Sequence, residues 1–164
     1  MQRLAAIMLI SVCSSVIAQE EQSTTSSGDY AMDLGQVYGA IRSAKFMGEI
    51  CTDSFPDQAQ PNAAAFKEWR MRYQPFIQEI ERHFSAMAWR ESGEDPERHV
   101  QFLADVEKSF GMYRAALKSQ LTADGPDPFA GRCSVYPTYL ASGRMDLEHY
   151  YAEQVAVIRK GPPK

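Results

Sequence analysis

The spacing of its apolar residues is what most constrains this chain. From Tyr30 to Ile158 they recur every three or four positions, and no stretch alternates apolar and polar as a half-buried strand would. That pattern predicts an all-α fold. Leu34, Val37, Tyr38, Ile41, Ala44, Lys45 and Gly48 fall on one stripe of a first helix from about Tyr30 to Asp53, closed by Phe55-Pro56. A second helix is expected from Asn62 to about Trp89, with Phe66, Trp69, Tyr73, Phe76, Ile80 and Met87 inward. Pro75 lies inside that stripe; it has no N–H to donate, but the apolar phase continues through it, so a kink is expected rather than a break. Asp95-Pro96 supplies an N-cap and an N1 proline for a third helix, whose Leu103, Val106, Phe110, Tyr113, Leu117 and Leu121 share a face. Thr122 to Arg132 reads as a loop by its Pro and Gly, and Ser134 to Ala141 as a short helix. Asp146 caps a last helix that turns Leu147, Tyr150, Tyr151, Gln154 and Ile158 inward.

The N-terminus reads as an export signal. Arg3 precedes an apolar run from Leu4 to Val12, and Val16-Ile17-Ala18 satisfies the small-residue rule for cleavage before Gln19. The run is shorter than the roughly 20 residues needed to cross a bilayer, so no stable membrane insertion is expected after cleavage. Residues 19–28, QEEQSTTSSG, are polar and read as a leader, which leaves 29–164 as one domain. The expected location is the periplasm.

Cleavage removes Cys13 and leaves Cys51 and Cys133, an even count in an exported chain, hence a disulfide. Topology agrees with that pairing. Long helices joined by short turns run antiparallel, so helix one ends at the pole to which helix three returns, and the segment starting at Cys133 begins there. The expectation is an up-down bundle of four to five helices, its disulfide tying helix one to the fourth segment.

Seventeen Lys and Arg against 21 Asp and Glu exclude a dominant phosphate-binding face, so no nucleic acid is expected. Catalytic patterns are missing: there is no GxSxG, Ser-x-x-Lys, HExxH or CxxC, and Asp146-x-x-His149 stands alone without the second Glu-x-x-His of di-iron bundles. No enzymatic activity and no cofactor are expected. His83, with Glu79 four residues before it, and His99, with Asp95 four before it, come within about one helical turn of each other by antiparallel pairing. They are candidate metal ligands, set against a reading as half-buried histidines bonded to those acids.

Helix one carries a second unusual face. Away from its main stripe lie Gly35, Gly39, Ser43, Phe46 and Ile50, small residues that let another backbone approach, followed by large apolar ones that would be costly in water. Gly39, Ser43, Phe46 and Ile50 are the candidate partner-binding residues; the alternative is that helix one is central and packed on both sides. The aromatics of Tyr136-Pro137-Thr138-Tyr139 are expected to cap the pole near the disulfide.

Cys51-Thr-Asp-Ser-Phe-Pro, Phe66-Lys-Glu-Trp69, Cys133 with Tyr136-Pro137, and Ser142-Gly143-x-x-Asp146-Leu147-Glu148 together resemble exported, helical, single-disulfide proteins of Gram-negative bacteria. The resemblance spans nearly the whole mature chain and implies no activity. Small helical periplasmic proteins of that general kind include immunity proteins that block peptidoglycan amidases, but their glycine-rich helix after the first cysteine is not found here, and no inhibitory residue carries over. The expected function is therefore a non-catalytic periplasmic binding protein, an inhibitor or immunity-type partner of a cell-envelope enzyme, with a metal-binding bundle using His83 and His99 as the alternative.

Overall fold

The computed structural model describes residues 25–162, so the expected signal peptide and most of the leader lie outside the described residues. Among the described residues all regular structure is helical: α1 (Tyr30–Ser54), α2 (Pro56–Arg72), α3 (Gln74–Glu91), α4 (Pro96–Thr122), α5 (Pro126–Ser134), α6 (Tyr136–Ala141), a 3-10 turn (Gly143–Met145), α7 (Leu147–Tyr150) and α8 (Ala152–Lys160). The all-α expectation holds, with more helical segments than four or five.

Proline accounts for the excess. Pro56, Pro75, Pro96, Pro126 and Pro137 each occupy one of the first two positions of a helix. There a missing N–H costs nothing, because it would have no intrahelical acceptor. Three expectations are corrected for this reason. Pro56 opens α2 with only Phe55 between it and the end of α1, where a longer turn was expected. At Pro75 the helix is interrupted at Tyr73, although Tyr73 N–H to Trp69 O (3.1 Å) and Ile77 N–H to Tyr73 O (2.9 Å) keep the chain bonded across the junction. The expected loop over 122–132 contains α5, so Cys133 sits in the last turn of α5 instead of opening the fourth segment.

Cross-helix pairs set the course of the chain. Tyr30 meets Arg90 and Tyr38 stacks on Phe84, so α3 runs antiparallel to α1. Arg42 pairs with Glu107 and Glu49 with Arg114, so α4 returns parallel to α1. This up-down-up order brings Cys51 and Cys133 together in a disulfide that spans 82 positions, within a small cluster of Ile50, Leu121 and Phe129. Closing a loop of that length removes about 4.5 kcal/mol of unfolded-chain entropy.

Helix α1 is the axis, in contact with each of the other α-helices. Leu34, Val37 and Ile41 join Trp69, Ile80 and Ile158 in the main core. Trp69 is seated by its indole N–H, which donates to Met145 O at 2.8 Å. At the start of α1 the Asp33 carboxylate is fully buried and accepts from Ser26 Oγ (2.5 Å), Ser27 N (2.8 Å) and Ser27 Oγ (2.8 Å). The end of the expected leader thus belongs to the fold. Burial raises the Asp33 pKa, but these donors outweigh it and hold the carboxyl below its usual value. No described helix is long and apolar enough to cross a membrane.

Candidate functional site

Helix α4 is the least buried of the long helices. Of the face expected to point inward, Leu121 is buried, whereas Leu103 is 37% and Tyr113 41% exposed. Part of the α4 face looks across at a bare stretch of α1. Gly35 and Gly39 have no side chain to reach across, and a Cβ built on either meets nothing within 4 Å. Where α1 instead carries Phe46, α4 closes down: Phe46 is buried against Phe110 and Tyr113.

The result is an open cavity of about 550 Å³ between α1, α3 and α4. Gly35, Gly39, Ala40 and Ser43 form its floor, and Tyr38, Phe84, Phe102, Val106, Phe110 and Tyr113 its walls. Its volume falls within the range of about 300–1,000 Å³ usual for ligand pockets. Polar groups are few: Gln36, Asp105 and Ser109, besides the hydroxyls of Ser43 and the tyrosines. Ser43 Oγ donates to Gly39 O (2.9 Å), which leaves the Tyr113 hydroxyl to donate to Ser43 Oγ (2.8 Å). Ser109 Oγ donates to Asp105 O (2.9 Å). Both serine hydroxyls are thus bonded within their own helix, and among the described residues the lining contains no histidine or cysteine.

A polar clasp holds α4 over one side of this cavity. The Arg42 guanidinium makes a two-pronged contact with Glu107 (2.7 and 2.8 Å) while lying 4.4 Å from the Phe110 ring centroid. Glu107 holds Arg42 protonated, and the arginine in turn keeps the Glu107 carboxyl below its ordinary pKa. Beyond Tyr113 lie Tyr139, Tyr150 and Tyr151; burial, and then the neighbouring phenols, push the Tyr151 hydroxyl up to about 12, so it stays neutral.

The four candidate partner-binding residues divide. Gly39 and Ser43 line the cavity, while Phe46 and Ile50 are core, 5% and 1% exposed. For those two the expectation of a free face is corrected: α4 covers Phe46, and the disulfide cluster covers Ile50. Sequence reading also missed the other wall, because it assigned the α4 aromatics to a closed core. The signal was available in the small row of α1, which cannot fill the space facing such a stripe.

The histidines stay apart in their contacts. His83 Nδ1 lies 3.2 Å from the Tyr30 hydroxyl, and His99 packs edge-on against Trp89. Neither hydrogen-bonds its expected acid: Glu79 is held by Arg159 (both contacts 2.8 Å), and the Asp95 carboxylate caps α4 through Arg98 N (2.9 Å). Among the described residues no three of His, Cys, Asp and Glu gather as a metal site.

Compared with protein-family models, curated proteins and solved structures, the chain has no match.

Proposed function

We propose that this is an exported, non-catalytic binding protein of the periplasm that receives an apolar helical segment of a cell-envelope protein between α1 and α4. The observation that carries this is the cavity itself: about 550 Å³ of largely apolar space, walled by aromatics and floored by glycines. An apolar opening of that kind is a liability in water unless something fills it. Its two facing helix rows suit a helix laid lengthwise, since small residues at four-residue spacing admit a second backbone. The disulfide is in keeping with an oxidising compartment. An inhibitor or immunity-type partner of an envelope enzyme is the form such a protein takes.

The test compares wild type with Gly39→Leu, which fills the floor where a Cβ has open space. Wild type purified from the periplasm should begin at Gln19 and enrich one envelope protein; Gly39→Leu should melt at the same temperature or higher and lose that protein. Equal recovery by both would remove the cavity from the function.

A further inference from the structure

We infer that the segment received by the α1–α4 cavity carries a basic residue, which pairs with Asp105. The inference rests on the reading of this cavity as the binding face and adds the chemistry of the occupant. Gly35 to Ser43 spans about 12 Å of α1 and Phe102 to Tyr113 about 16 Å of α4, at 1.5 Å per residue. Two to three turns of helix match that length. The apolar lining selects apolar side chains on the occupant's inner face, and its charge selects the rest.

Among the described residues Asp105 is the one charged side chain lining the cavity. Its carboxylate accepts from Gln101 Nε2 at 3.1 Å, and no cation among the described residues pairs with it. Two positions along, on another side of α4 and outside the cavity lining, Glu107 does have a cation. There α1 supplies Arg42, whose guanidinium meets the carboxylate and lies over the Phe110 ring. Across the cavity from Asp105, α1 supplies glycines. Asp105 therefore edges the cavity as an exposed carboxylate with no cation beside it, and a lysine or arginine at the edge of an apolar helix supplies that partner. A cation placed there gains the carboxylate at the rim of an aromatic lining.

The probes are three blocked twelve-residue helical peptides with a leucine stripe, identical except for a central Lys, norleucine or Glu at the edge of that stripe. Norleucine keeps the stem of lysine without its charge. Each is titrated into the disulfide-intact protein and followed by amide shifts at Gly35, Gly39 and Ser109. The Lys peptide should bind about fivefold more tightly than the norleucine peptide, and the Glu peptide more weakly than either. Asp105→Asn should bring the Lys and norleucine peptides level, and raised salt should narrow the gap in wild type. Equal binding of Lys and norleucine peptides, or a Lys preference that survives Asp105→Asn, overturns the cation while leaving the cavity as binding face. Absence of binding by all three, or binding that Gly39→Leu leaves intact, overturns the cavity reading and the cation with it.

Discussion

The Tyr136 hydroxyl lies 2.7 Å from where a Cβ on Gly48 would sit. Tyr136 is fully buried, and that hydroxyl donates to Ala44 O at 2.8 Å. The absent side chain at 48 is what lets α6 seat a phenol directly on the backbone of α1, and burial keeps that phenol neutral by raising its pKa.

Gly48→Ala should therefore destabilise the protein by about 2 kcal/mol, even though alanine favours a helix by about 1 kcal/mol over glycine. Adding Tyr136→Phe should recover part of the loss, because it removes the closest atom but leaves ring carbons at 3.1 and 3.2 Å. Urea unfolding of the two single variants and the double variant checks the coupling; additive losses would refute the contact as its cause.

Nine residues earlier on the same helix the same residue type should behave in the opposite way. Gly39 faces open space, so Gly39→Ala should stabilise by about 0.5–1 kcal/mol through helix propensity alone. A loss measured by thermal melting would mean that the floor is covered in solution.

Removing the disulfide by Cys51→Ala with Cys133→Ala should cost about 4 kcal/mol, the loop-closure value less any relaxation of the small cluster around it. Differential scanning calorimetry of the double variant against wild type provides the comparison. Two alkylatable thiols in native wild type would contradict the bond outright.

Arg42→Ala should cost more than Glu107→Ala by about 1 kcal/mol. The arginine side chain is 17% exposed and covers Phe110, whereas the glutamate side chain is 61% exposed and offers only its charge. The coupling energy from the double-mutant cycle should stay under about 1 kcal/mol, as expected for a pair half in water.

Stability should fall in acid partly through Asp33. Its folded pKa lies below the unfolded value of about 3.9, so its contribution is complete above that value and is lost as pH falls through the folded one. Asp33→Ala should cost about 2 kcal/mol at pH 7 and progressively less below pH 4, where the wild-type carboxyl is itself protonated. Melting curves of both proteins from pH 2 to 7 would show the two converge; a constant offset would refute the assignment.

The sequence by itself determined the helical class, the disulfide and the helix start at Pro96, because each rests on local or counting constraints: three-to-four spacing, two cysteines left after the expected cleavage site, an Asp-Pro pair. Periodicity also placed Leu34, Val37 and Ile41 inside. It could not tell a proline that kinks a helix from one that opens the next, since both sit in an unbroken apolar phase; the junction at Tyr73 was settled by packing. Nor could it say how far apart two apolar faces come to rest. The stripe of α4 and the small row of α1 each look like core when read alone. Only when the Phe46 contacts and the Arg42 clasp fix the two helices side by side does the missing side-chain volume between them become a cavity, because a void belongs to a pair of surfaces and not to either sequence.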